Sequence, residues 1–149
     1  MSFLLALINN ENDAVLREDL QERVDIVTHK IKFMDKVPVI CFGHKNQAQT
    51  VLHKLIELAG GQIVSDAAQA KTILYFEPEC SIADWMGNIL GLLVPEWPAV
   101  TYKQVYILAG GREKNISNLV SNLEDIAEML HPGSFIFGNE GSGWVNFQS

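Results

Sequence analysis

Residues Asp13 to Met34, DAVLREDLQERVDIVTHKIKFM, set the frame for the whole chain. Large apolar side chains recur at Leu16, Leu20, Val24, Val27, Ile31 and Met34, spaced by four, four, three, four and three residues. That rhythm places all six on one stripe of an α-helix. Arg17, Glu18, Glu22, Arg23 and Asp25 fall on the other sides and solvate them. Asp13 is suited to accept bonds from the orphan amide protons of the first turn. At about 1.5 Å per residue such a helix is roughly 30 Å long, the width of a small domain. The rest of the chain is expected to lie against it.

Outward from that helix, strand-like and helix-like patterns alternate. Before it, Ser2 to Asn9 has the pattern of a short capped helix, and Asn9 to Asn12 is a polar break. After it, Val37-Pro-Val-Ile-Cys-Phe-Gly43 is a continuous β-branched run, as expected of an interior strand apolar on both faces. A helix follows from Gln47 to Ala59 with Asn46 as its cap, and Gly60-Gly61 is its stop. Short strands are expected at Gln62–Ser65, Thr72–Phe76 and Val105–Leu108. Further helices are expected at Ile82–Leu93, capped by Ser81, and at about Ile116–Leu130, ended by Pro132. Pro95-Glu-Trp-Pro98 reads as a loop, and Ser134-Phe-Ile-Phe137 as a candidate edge strand in a tail rich in glycine and aromatics. Alternation of this kind predicts one α/β domain over residues 1–149. Its expected form is a three-layer sandwich around a mostly parallel sheet of four or five strands. Val37–Phe42 is expected at the centre, and the Asp13–Met34 helix packed along the sheet.

Composition narrows the function classes. Of 149 residues 48% are hydrophobic and 19% charged, which suits a packed core rather than disorder. A formal net charge of −7 argues against nucleic acid and anionic membranes as partners. The apolar run Phe3–Ile8 lacks the basic flank and length of a signal peptide and is too short to span a bilayer. A cytoplasmic location without membrane insertion is therefore expected. Cys41 and Cys80 read as free thiols, Cys41 as inert core, and two cysteines with four scattered histidines give no metal-ligand spacing.

Ligands of open α/β sheets collect at the carboxyl ends of the strands. Here those ends are Gly43-His44-Lys45, Glu77-Pro-Glu79-Cys80 and Gly110-Gly111-Arg112. They gather His44, Lys45, Glu77, Glu79 and Arg112 onto one rim, with Trp85 and Trp97 as candidate neighbours. Such a rim suits a polar ligand or acid/base chemistry, and it is equally what ordinary solvated loops look like. Gly110-Gly111 has neither dinucleotide-binding spacing nor a P-loop lysine. No nucleophile elbow is present. His29, His53 and His131 read as structural, and Trp144 has no evident core role.

Several stretches taken in order resemble the C-terminal lobe of the substrate-binding proteins that serve ABC transporters for iron-siderophore, haem and cobalamin uptake. The long helix with Val37-Pro-Val-Ile-Cys-Phe42 is similar to that family's inter-lobe helix and first strand of the lobe. Leu55-Ile-Glu-Leu-Ala-Gly-Gly61, Thr72-Ile-Leu-Tyr-Phe76, Trp97-Pro-Ala-Val100 with Gln104-Val-Tyr-Ile107, and Leu123-Glu-Asp-Ile-Ala-Glu-Met-Leu-His-Pro132 resemble its later segments. The likeness runs from about Leu4 to Phe135. Its departures are the missing N-terminal lobe and export signal, and the short Ser65–Lys71 stretch where the family has an extra helical segment. Docking to a permease by the family's usual route is thus not implied.

The resemblance implies a non-catalytic domain that binds a small molecule of the metal-chelate or tetrapyrrole class, or a protein, with no specific cofactor indicated. The competing class is a chelatase-like enzyme using His44 with Glu77 or Glu79. Without a second lobe, Phe3, Leu4, Leu7, Ile8, Trp97, Trp144 and Phe147 would form an exposed apolar patch, which predicts a homodimer. Alternatively, the first helix and the tail fold back over their own sheet.

Overall fold

The computed structural model of the chain describes residues 3–43, 47–77, 82–87, 89, 91, 93–109 and 115–147. Its core is a five-stranded sheet built from β1 (Val37–Phe42), β2 (Gly61–Ile63), β3 (Thr72–Tyr75), β4 (Val105–Leu108) and β5 (Trp144–Asn146), in the order β2-β1-β3-β4-β5. The first four run parallel, and β5 lies antiparallel against β4 with Leu108 opposite Trp144. This is the expected mostly parallel α/β sheet. β1 is interior, but the middle position belongs to β3, all four of whose residues are buried.

Strand alternation divides the core in two. Val37, Val39, Leu74, Tyr106, Leu108 and Trp144 face one way, toward α1 (Phe3–Asn9), α2 (Ala14–Ile31), α3 (Gln47–Leu58) and α6 (Ile116–Leu130). Ile40, Ile73, Tyr75, Val105 and Ile107 face the other way. That second face is covered by a 3-10 turn at Ala67–Gln69 and by the short helices α4 (Ile82–Met86) and α5 (Pro98–Thr101).

Asp13 caps α2 as expected, its carboxylate accepting from the Val15 and Leu16 amides at 3.0 and 3.2 Å. Leu20, Val24 and Val27 on the apolar stripe are buried. They pack against α6, and α1 lies alongside; α2 is an outer helix rather than one laid along the sheet. The reason lies in α6, which occupies the place next to β4 and is buried over most of its C-terminal half. Val120, Leu123, Ile126, Ala127, Met129 and Leu130 are buried, and so are Glu124 and Asp125.

Those acids are partnered. Arg23 of α2 donates to both oxygens of Glu124, at 2.6 Å from Nη2 and 3.2 Å from Nε, and Nη2 also reaches the Ser121 hydroxyl at 3.2 Å. The Glu124 hydrogen bond and charge hold the Arg23 pKa above its ordinary value. The Asn139 amide donates to Asp125 at 3.1 Å, and the Phe137 backbone N–H donates to Glu128 at 2.8 Å. This last bond explains why Ser134–Phe137 is not the edge strand: it crosses the end of α6, Phe135 inward and Ile136 outward. Trp144–Asn146 supplies the edge instead, and Trp144 is core, its ring edge-on to Tyr106 at 5.6 Å.

Other boundaries moved. The helix expected over Ile82–Leu93 is described only as Ile82–Met86, with a turn at Gly87. Pro98, at the first helical position, starts the one-turn α5, where only a loop was expected. The expected caps Asn46 and Ser81 lie outside the described residues. Gly60 takes a left-handed φ of +91° after α3, and buried His131 donates from Nε2 to the Ala59 carbonyl at 2.8 Å. His131 is thereby structural, as expected.

The anticipated apolar patch does not form. Leu4 and Ile8 are fully buried, Trp144 is buried, and Trp97 and Phe147 pack half-buried on the second core; of the named residues only Leu7 is exposed. The Phe3 side chain lies outside the described residues. The first helix and tail fold back on their own chain, which removes the original ground for a homodimer.

Two substitutions test this packing. Arg23→Ala strands a buried carboxylate and should cost about 3 kcal/mol, read as a lower urea midpoint at unchanged slope. A Cβ at Gly61 would lie 2.4 Å from Ile56 Cγ2 and 3.1 Å from Leu130 Cδ1. Gly61→Ala should therefore destabilise by about 1–3 kcal/mol in thermal unfolding.

Candidate functional site

The parallel strands point their carboxyl ends to one edge, where β1 ends in Phe42 and β3 in Tyr75, paired in register. Both side chains project to the second face of the sheet. Their ring centroids are 5.2 Å apart. Trp97, just before α5, stacks on the far side of Phe42 at 6.3 Å and 19° between planes. Trp85 of α4 leans on Tyr75 at 5.2 Å. The four rings make a row, Trp97, Phe42, Tyr75, Trp85, at geometries favourable for aromatic pairs.

Tyr75 is buried, while Phe42, Trp85 and Trp97 keep part of their surface open. The Trp85 indole N–H is buried and makes no hydrogen bond. An orphan donor of this kind costs about 1–3 kcal/mol. Trp144 has one too, in the opposite core, so the orphan alone does not mark a site. Burial pushes the Tyr75 phenol up to about 12, so it stays neutral at ordinary pH. Burial likewise pushes the Cys41 thiol to about 12, which makes it the inert thiol expected from the sequence.

Of the anticipated rim, Trp85 and Trp97 join this row at its two ends. Glu77, two residues past β3, is buried rather than presented to solvent, and it is engaged in an interaction of its own. His44, Lys45, Glu79 and Arg112 lie outside the described residues, as do Cys80 and Gly110-Gly111. The His44 pairing with Glu77 or Glu79 is therefore described only at Glu77. Among the described residues no three His, Cys, Asp or Glu side chains gather as a metal-ligand set. Phe42 and Tyr75 were missed as site residues because each reads as a core strand residue. The usable signal was position: both are the last residues of neighbouring parallel strands.

Two titrations follow. Tyr75 should ionise well after an exposed phenol, in absorbance, as pH rises from 10 toward 12. Because the folded state holds this proton longer than the unfolded chain, its contribution to stability is complete below pH 10 and is lost as pH rises through 12. Cys41 should resist iodoacetamide at pH 8 in the folded protein and react once unfolded, as read by peptide mass spectrometry.

No described helix is long and apolar enough to cross a membrane. No protein-family model and no curated protein sequence matches the chain. Among solved structures, it is similar to Helicobacter pylori CeuE in a nickel–histidine complex, at a TM-score of 0.52 and 16% identity. That match covers 79% of this chain and 45% of CeuE. A second structure, H. pylori CeuE with Ni(II) bound, gives a TM-score of 0.45 and 18% identity over the same shares. At such identity the likeness speaks for the fold: the chain has the α/β architecture of one lobe of a periplasmic binding protein and spans a little under half of the CeuE chain.

Proposed function

We propose that this chain is a non-catalytic binding domain that takes a small, flat, partly apolar ligand of the metal-chelate or tetrapyrrole class at the strand-end aromatic row. The observation that carries the reading is the row itself. Four rings stand side by side at the carboxyl ends of adjacent parallel strands, where α/β sheets bind ligands, and three of them are only half covered. Stacking on such rings favours a planar ligand and does not require a catalytic set. The likeness to a lobe of CeuE, whose two structures are described with nickel, adds a nickel chelate to the probes. His44, Lys45, Glu79 and Arg112 are proposed as the polar rim that orients the ligand. A chelatase-like reading has less behind it, because Glu77 is buried and already engaged.

The test is thermal unfolding with haemin, cyanocobalamin and a nickel–histidine complex as separate probes. A binder at about a hundred times its Kd adds about 2.7 kcal/mol, which raises Tm by about 5–10 °C for a chain of this size. Trp97→Ala should weaken that binder by about tenfold through loss of one stacking face. No shift with any probe, or a shift that Trp97→Ala leaves unchanged, would contradict the reading.

A further inference from the structure

The parallel strands have an opposite edge, at their amino ends, where lysines gather. Lys36 immediately precedes β1, Lys71 immediately precedes β3, and Lys103 lies two residues before β4. Lys71 and Lys103 each stand two residues before a register pair, Ile73 with Val105, so they flank one another across the sheet. Their backbones are held in place. The Lys71 N–H donates to the Pro38 carbonyl at 2.9 Å, and the Lys103 carbonyl accepts from the Asn146 amide at 2.8 Å. Lys32 adds a fourth ammonium from the turn between α2 and β1. All four lysines are exposed, and none forms an ion pair with a described residue. The acids at this edge are Asp35 and, in the last turn of α3, Glu57.

Three large apolar side chains stand among these lysines. Phe33 is 91% exposed in the same turn as Lys32, and Tyr102, next to Lys103, is 72% exposed. Ile136 is 86% exposed, in the segment that Lys30 of α2 ties down through the Ser134 carbonyl and the Phe135 ring. A net charge of −7 argues against an anionic partner for the molecule as a whole, but the charge is unevenly placed. Of the described lysines only Lys54, on the side of α3, lies away from this end. Neighbouring lysines repel, and large apolar side chains in water are unfavourable; one kind of partner relieves both. A bilayer with anionic headgroups attracts lysine ammonium groups and takes Phe, Ile and Tyr side chains into its interfacial layer. Single-stranded nucleic acid would suit the lysines and the two rings. Ile136 offers no ring for a base to stack on, however, and among the described residues this edge has no arginine to fork onto phosphate. We propose that the amino-end edge of the sheet docks peripherally on an anionic phospholipid surface. Phe33, Tyr102 and Ile136 enter the interface, and Lys32, Lys36, Lys71 and Lys103 lie at the headgroups. The aromatic row is at the other end of the strands, so this inference is independent of the ligand reading.

Co-sedimentation of the full chain with vesicles tests it. Phosphatidylcholine vesicles containing about a third phosphatidylserine should pellet the protein in low salt, and pure phosphatidylcholine should not. The bound fraction should fall as salt is raised. Lys36→Glu with Lys71→Glu should weaken binding by roughly tenfold or more, and Phe33→Ser with Ile136→Ser by roughly tenfold. Ile26→Ser, exposed on α2 away from this edge, should leave it unchanged. All five positions are exposed, so each variant should keep the far-ultraviolet circular dichroism of the parent. No pelleting with the anionic vesicles, or pelleting indifferent to either pair of substitutions, would overturn the proposal. So would capture of a single-stranded oligonucleotide in place of the vesicles.

Discussion

Burial of the C-terminal half of α6, with Glu124 and Asp125 inside it, is the constraint on which the remaining architecture depends. Two of its acids, Glu124 and Asp125, fall on the buried part of the helix, and Glu128 is half-buried beside them. Each carboxylate is met by a donor from a different part of the chain: Glu124 by Arg23 of α2, Asp125 by Asn139, Glu128 by the Phe137 amide. Apolar burial supplies most of the stabilisation, at about 1.5–3 kcal/mol for each large side chain. The acids contribute something else. An unpartnered buried carboxylate costs several kcal/mol, so only arrangements that bring Arg23 and the 137–139 segment to these positions are tolerated. Helix α2 and the tail are positioned by polar satisfaction and held by hydrophobic contact.

That arrangement has a consequence for the opposite face of the sheet. With α1, α2, α3 and α6 all on one side, the second side is covered by a 3-10 turn and by two helices of five and four residues. Short helices cover less surface than long ones. Phe42 at the end of β1 and Trp85 and Trp97 on the covering segments are therefore packed on one side and partly open on the other, beside the buried ring of Tyr75. The second core finishes there, at a partly exposed row of aromatic rings.

Periodicity made the helical parts legible: the stripe from Leu16 to Ile31, the Asp13 cap, and the apolar density of Leu123 to Leu130 all have local physical causes. The same was true of the strands from Val37 to Leu108, whose β-branched runs admit few alternatives. What was not legible depends on contacts distant in sequence. Arg23 reads as a solvated helix residue until Glu124, about a hundred positions later, is seen to need it. Ser134–Phe137 has strand-like composition, but its Phe137 amide is taken by Glu128. Trp144 looked unattached because Leu108 and Tyr106, its neighbours across the sheet, are far away in the chain. At the candidate site, Trp85 and Trp97 stood out as large aromatics near strand ends. Phe42 and Tyr75 did not, because a strand's last residue looks like any other core residue until the register of two strands is known.

The tryptophans offer the most direct test of a ligand surface at the strand ends. In a heteronuclear spectrum of the full chain, the three indole N–H groups report separately, Trp85 and Trp97 from the aromatic row and Trp144 from the opposite core. On titration with haemin, cyanocobalamin or the nickel–histidine complex, the account predicts that at least one probe shifts the Trp85 and Trp97 resonances while Trp144 stays in place. Three unmoved resonances with every probe, or Trp144 moving as far as the other two, would contradict it.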